Sequence, residues 1–163
     1  MTLEPRAQTI SSIKHAFSRF PSGVVALYSK GPEGPEGMVA SSFTSVSLIP
    51  PLVSISIRNE SETWLRMADA PRFGVSIMST SHKELCRKLA GPRSARFDGV
   101  PLDISANGAL LLKGAAVAFD CSLFRTIRIG DHLLAVFKIE DIVADTLEIP
   151  LVFHEREFKS LTM

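Results

Sequence analysis

Two hydrophobic periods run along the chain, and the shorter one dominates. Residues Gln8 to Phe20 place Ile10, Ile13, Phe17 and Phe20 at helical spacing, which predicts one helix with a single apolar stripe, ended by Pro21-Ser22-Gly23. Beyond it the pattern shortens to alternation. Val24 to Ser29 predicts a short apolar strand, Gly31 to Gly37 a turn-rich hairpin tip, and Met38 to Phe43 the returning strand. In Leu52 to Arg58, Val53, Ile55 and Ile57 face one way while Ser54, Ser56 and Arg58 face the other, the mark of a half-buried strand. The same alternation recurs in Phe73, Val75 and Ile77, in Val117, Phe119, Cys121 and Leu123, and in Leu133, Ala135, Phe137 and Ile139 after a turn at Gly130-Asp131. Pro150 to His154 predicts a last strand before a short tail.

Only short helices interrupt these strands. Ser61 is placed to cap a helix reaching Ala68. Ser81-His82-Lys83-Glu84 has capping-box spacing ahead of Leu85 and Leu89, which share a helix face. Gly91 to Gly108 is mixed and loop-like. A doubly wound parallel sheet needs a crossover helix after each strand, so six or seven strands joined mostly by turns predict a mainly β chain with short helices, closed or partly closed as an antiparallel barrel. One domain over residues 1–163 is expected, with residues 1–20 as an N-terminal helical segment.

Charge and composition narrow the function classes. Lys plus Arg total 18 against 17 Asp plus Glu, a net charge of +1, and no basic face or like-charge run calls for a nucleic acid or a membrane surface as partner. With 45% hydrophobic residues in 163, a buried subunit interface is expected. Cys86 and Cys121 lie far apart and form no CxxC, which predicts two buried thiols in a reducing compartment. Met1 to Arg19 lacks the apolar core of a signal peptide, so a cytoplasmic protein is expected. Gly37 to Ile57 is free of charge and long enough to span a bilayer, but its seven hydroxyl residues and the adjacent Pro50 and Pro51 argue against a transmembrane helix.

That uncharged segment carries the main chemical clue. The four histidines, His15, His82, His132 and His154, pair at no metal-ligand spacing, so no metal is expected; GxSxG and P-loop motifs are absent. The GxxGxxG spacing of Gly31, Gly34 and Gly37 is not a dinucleotide fingerprint. Ala40-Ser41-Ser42, by contrast, offers a main chain that a flat ligand edge can approach, with hydroxyls from Thr44, Ser45 and Ser47 nearby. Taken alone, these hydroxyls are read more simply as the polar faces of strands. Arg58-Asn59-Glu60-Ser61-Glu62-Thr63 offers an anion site at a helix start or, more simply, an ordinary cap. Gly130-Asp131-His132 delivers an imidazole at a strand start or is a plain hairpin turn, and Arg96-Phe97 sits in a Gly-flanked loop.

In order along the chain, however, these segments resemble the flavin reductase family, the small reductase components of two-component flavin monooxygenases. The resemblance runs from Phe17 to Leu161. It rests on Phe20-Pro21-Ser22-Gly23-Val24, on Gly37 to Leu48 with Pro50-Pro51-Leu52, and on Asn59 to Thr63. Arg96 to Val100, Leu112 to Ala115, Gly130-Asp131-His132 and Pro150 to Phe153 complete it. It implies an FMN-binding split β-barrel of Greek-key antiparallel topology, usually a homodimer. It further implies that Met38, Val39, Ala40, Ser41, Ser42, Phe43, Thr44, Ser45, Val46 and Ser47 form the flavin-binding stretch. Ser61 and Thr63 would lie near the phosphate, Arg58, Asn59, Arg96 and Phe97 would also bind the cofactor, and His132 would stand where the nicotinamide enters.

The activity implied is reduction of FMN or FAD by NADH or NADPH, with reduced flavin passing to a flavin-dependent oxygenase component. A non-catalytic flavin carrier or sensor on the same fold is the alternative, and a split-barrel oxidase acting on another cofactor is a third. The chain departs from the family pattern at Ile49, where Asp is frequent, at Val39, where Thr is frequent, and at Phe153 and Phe158, where an aromatic hydroxyl is common.

Overall fold

The computed structural model describes Leu3 and residues 8–162, and twelve strands are assigned among them. Helix α1 is Ile10–Ser18, with Thr9 and Ser12 forming a reciprocal capping box. Strand β1 is Ser22–Gly23, β2 is Val25–Gly31, β3 is Gly34–Ala40, β4 is Thr44–Leu48 and β5 is Pro51–Arg58. Helix α2 (Glu62–Met67) precedes β6 (Phe73–Ile77), and α3 (Lys83–Leu89) precedes β7 (Leu102–Ile104) and β8 (Leu110–Leu112). The long strands β9 (Val117–Ile129) and β10 (His132–Asp145) are followed by β11 (Leu151–His154) and β12 (Glu157–Ser160).

Seven strands form one antiparallel sheet in the order β3-β2-β6-β9-β10-β5-β4. Its two edges, β3 and β4, are consecutive in sequence and joined only by Ser41, Ser42 and Phe43. Four Cα steps reach at most about 14 Å, so the edges meet at one end of the sheet without a hydrogen-bonded ladder between them. This is the split of the barrel. Val25, Leu27, Ile55, Ile57, Phe73, Val75, Leu133, Ala135 and Phe137 fill the interior, and Trp64 and Met67 of α2 plug it. Trp64 stacks on Phe73 at 5.9 Å between ring centroids, and Phe73 meets Phe137 at 5.1 Å.

A second core lies on the other face of β2. Ala26 and Tyr28 point away from the barrel into a cluster with Met78, Cys86, Leu89, Leu110, Leu112 and Leu151. That explains why β2 reads as an unbroken apolar run: both its faces are buried. Strand β8 crosses directly against β6, where Leu112 N–H donates to Ser76 Oγ at 3.0 Å. A Cβ on Gly74 would stand 1.7 Å from the Leu110 carbonyl oxygen, so only glycine allows this approach.

Several expectations change in detail. The predicted loop at Gly31 to Gly37 shrinks to Pro32-Glu33, because β2 and β3 pair up to Gly31 and Gly34. The return strand stops at Ala40 rather than Phe43. The capping box at Ser81 does not form: Ser79 caps a short 3-10 turn over Thr80–His82, and His82 Nδ1 accepts its N–H at 3.1 Å. His82 Nε2–H then donates to the Lys113 carbonyl at 2.8 Å. The expected tail after His154 is a hairpin, with β12 returning along β11. The apolar stripe of α1 is real but uncovered within the chain: Phe17 is 74% exposed and Phe20 79%.

Candidate functional site

The connector across the split is built by one side chain. Ser42 Oγ donates to the Ser56 carbonyl at 3.1 Å and accepts the Ser56 N–H at 3.0 Å. Thr44 pairs with Ser54 in the ladder, so Ser42 stands where the next main-chain pair would fall. Its hydroxyl takes the place of the main chain there. Among the described residues, the main-chain N–H groups of Ser41, Ser42 and Phe43 enter no ladder, cap or turn hydrogen bond. Donors left unpaired in this way are open to water or to a ligand.

Ser41 and Ser42 belong to the lining of a cleft of about 420 Å³, with Met38, Val39, Ala40, Ser56, Ile57, Arg58, Ser61 and His132. Eight of these are candidates from the sequence, drawn from three separate segments. Ser56 and Ile57 are not, although Ser56 shares a strand face with Arg58 in the β5 alternation. Ser61 caps α2, its Oγ accepting the Trp64 N–H at 3.1 Å, and its own hydroxyl proton remains available.

His132 begins β10 opposite Arg58. Its Nδ1 lies 2.7 Å from Asp131 Oδ1. An ionised carboxylate only accepts, so Nδ1–H donates, and a neutral ring offers Nε2 as an acceptor. That hydrogen bond holds the Asp131 carboxyl below the usual aspartate range. Asn59 fixes the same turn from the other side: its N–H donates to the Asp131 carbonyl at 3.1 Å and its Nδ2 to the Gly130 carbonyl at 3.1 Å. Gly130 adopts φ +60°, a left-handed position that favours glycine. Asp131 thus holds the His132 ring; the sequence offered it only as part of the Gly130-Asp131-His132 turn, with no role of its own.

Other residues from the sequence lie outside the cleft lining. Phe43 packs against the barrel interior. Thr44, Ser45, Val46 and Ser47 run along β4, the edge strand, largely exposed. Thr63 is buried on α2, and Arg96 Nη1 donates to its hydroxyl at 3.1 Å while Arg96 Nε donates to the Gly91 carbonyl at 2.8 Å. Arg96 therefore ties the loop after α3 to α2. Phe97 packs edge-on against Tyr28 at 6.3 Å in the second core. Among the described residues no group of His, Cys, Asp and Glu is arranged to hold a metal ion, and no helix is long and apolar enough to cross a membrane.

The cleft has the donor set a flavin ring edge requires. Unpaired N–H groups can meet the polar edge of the ring, small side chains let the main chain approach, and Met38 adds an apolar side.

Comparison with known proteins points the same way. Residues 17–162 match the family described as flavin reductase like domain. An NADH-dependent flavin reductase from Rhodococcus is 32% identical over 158 residues, covering 93% of this chain and 86% of the relative. The reductase component of a flavin-dependent trigonelline monooxygenase from Acinetobacter baylyi is 31% identical over 136 residues; the match covers 83% of this chain and 44% of that longer protein. The NADH:FAD oxidoreductase of Streptomyces globisporus, solved in complex with NAD and FAD fragments, superimposes with a TM-score of 0.86 at 29% identity, over 93% of this chain and 92% of that one.

Proposed function

The chain belongs to the flavin reductase family, and from that premise we propose that it is an NAD(P)H:flavin oxidoreductase, taking a hydride from NADH or NADPH to FMN or FAD. The observation that carries this reading is the convergence of the unpaired Ser41–Ser42 main chain and His132 on one cleft. A bound flavin supplies the hydride acceptor. The chain's own groups do the rest. Main-chain N–H groups at Ser41 and Ser42 hold the ring edge and stabilise negative charge that develops there. Met38 gives the ring face an apolar neighbour. Ser61 and Arg58 lie toward the phosphate-bearing side chain.

His132 orients the nicotinamide. With Nδ1–H committed to Asp131, its Nε2 is free to accept from the carboxamide. A hydride leaves without a proton, so no base is required at that step.

The active unit is a homodimer. Leu48 at the end of β4 is 90% exposed and Ile49 beside it 95%, with Val46, Phe124, Ile127 and Ile129 adding further uncovered apolar surface. A patch of this kind marks an interface. Reduced flavin passes to a separate oxygenase component, as the reductase component of the trigonelline monooxygenase suggests, and two unpaired buried cysteines suit a cytoplasmic setting.

The test is loss of NADH or NADPH absorbance with catalytic protein and excess FMN or FAD. Steady turnover with one pair is expected. Flavin binding without turnover for any pair would leave a carrier or sensor in its place.

A further inference from the structure

Two of the segments that line the cleft are tied together by a buried carboxylate outside its lining. Glu36 stands on β3 two residues before Met38 and is 3% exposed. Its Oε1 accepts from Arg66 Nε, on α2, at 3.0 Å. The same oxygen pairs with Arg93, in the short 3-10 turn that follows α3. Glu36 Oε2 is buried with no hydrogen-bond partner among the described residues. Arg66 has a second carboxylate, Glu62 at 4.0 Å, but that one is exposed and belongs to its own helix.

Neither segment is held firmly by its own main chain. Strand β3, whose Met38, Val39 and Ala40 line the cleft, is an edge strand with a ladder only to β2. Helix α2, whose cap Ser61 lines the cleft, has six residues, too few to be stable alone. Trp64 and Met67 pack it into the barrel, but apolar packing is non-directional. The Glu36 to Arg66 hydrogen bond is directional and charge-assisted. An apolar pair of the same volume is often as stable as a buried ion pair, so stability alone does not call for a carboxylate here. The Arg93 arm is different. Its side chain is 46% exposed and also lies 3.5 Å from the exposed Glu33, and no residue of its turn lines the cleft.

We infer that Glu36 is a positioning residue for the flavin: through Arg66 it sets the Met38–Ala40 edge against Ser61, and so the breadth of the cleft that the ring enters. Arg93 uses the same oxygen for a separate task, fastening the loop after α3. The inference rests on the reading of the cleft as a flavin site.

FMN, titrated by fluorescence quenching, is the probe. The proteins are wild type, Glu36→Gln, Arg66→Gln, Arg93→Gln and the double variant Glu36→Gln/Arg66→Gln, each with its Tm. Glu36→Gln and Arg66→Gln should each raise the Kd for FMN about tenfold, as a misplaced wall requires. The double variant should lose no more than either single one, because both remove the same link. Arg93→Gln should lower Tm yet leave the Kd for FMN within about twofold. At saturating FMN the KM for the nicotinamide should be the same in all, since His132 belongs to neither tied segment. Should Glu36→Gln fail to fold, Arg66→Gln against Arg93→Gln decides alone. Unchanged FMN affinity in Arg66→Gln, equal loss in Arg93→Gln, or additive losses in the double variant would overturn the positioning role while leaving the flavin site in place. No FMN binding by the wild-type chain would sink the flavin site itself, and the positioning role with it.

Discussion

The hydroxyl of Ser42 holds both main-chain groups of Ser56, and by doing so it frees its own main chain. A side chain substitutes for one rung of the ladder at the place where the two edges of the sheet come together. Ser42→Ala should therefore leave the Ser56 N–H and carbonyl unpaired in a part-buried setting. The expected cost is about 1–3 kcal/mol of stability, or a fall in Tm of roughly 2–4 °C per kcal/mol for a chain of this size. Flavin affinity should fall as well, because the connector is no longer held. Fluorescence titration with FMN beside thermal unfolding checks both; an unchanged Tm would show that the ladder closes without Ser42.

His132 and Asp131 separate donor binding from flavin binding. His132→Ala should raise the KM for the nicotinamide by about tenfold, while flavin affinity stays within about twofold. Asp131→Asn should give a smaller effect of the same kind, since the ring loses its charged anchor but keeps its place. The pH dependence has a defined sign. The Asp131 carboxyl is held below its ordinary pKa by the hydrogen bond from His132, so its contribution is intact above the ordinary aspartate value and is lost only as pH falls through the lowered one. Between pH 5 and 8 no change in nicotinamide KM should trace to Asp131. Steady-state rates against pH check this, and equal loss of flavin and nicotinamide binding in His132→Ala would remove His132 from its role.

Much of this site could be read in the chain before folding, because its pieces carry local signals. Ser61 is a cap because its hydroxyl meets a main-chain donor three residues on, and Gly130-Asp131 is a turn because glycine adopts the left-handed conformation there. The alternation in β5 shows which face is buried. What escaped reading depends on long-range placement. Strand β8 is three buried leucines, a run whose period cannot separate strand from helix. The role of Ser42 depends on Ser56, fourteen positions away, and no spacing rule pairs them. The contacts of Arg96 with Thr63 and of Phe97 with Tyr28 join segments far apart in the chain, and no local spacing foretells them. The stripe of α1 looks like a core-facing helix by its period alone, yet within the chain it faces outward.

Both thiols should be silent in the folded protein. Burial pushes the Cys86 thiol up to about 11 and that of Cys121 up to about 12. Thiolate is the reactive form, so at pH 8 almost none is present, and neither sulfur is exposed. Titration with a disulfide reagent at pH 8 should find no fast-reacting thiol in the native state and two in denaturant. Raising the pH through the elevated values favours the ionised thiol and should therefore erode stability on the alkaline side.

Two glycines offer opposite tests of the packing. At Gly74 a methyl group would collide with the main chain of β8, 1.7 Å from the Leu110 carbonyl oxygen, and backbone cannot rotate away. Gly74→Ala must push β8 off β6, which disturbs the Leu112 to Ser76 hydrogen bond and opens the second core. A loss of about 3 kcal/mol or more is expected. At Gly130 nothing lies within 4 Å of a Cβ, and the constraint is the positive φ alone. Asparagine tolerates that conformation, so Gly130→Asn should cost less than about 1 kcal/mol. Denaturant unfolding of the two variants side by side decides the point: a Gly74→Ala protein as stable as Gly130→Asn would mean that β8 does not press on β6 as described.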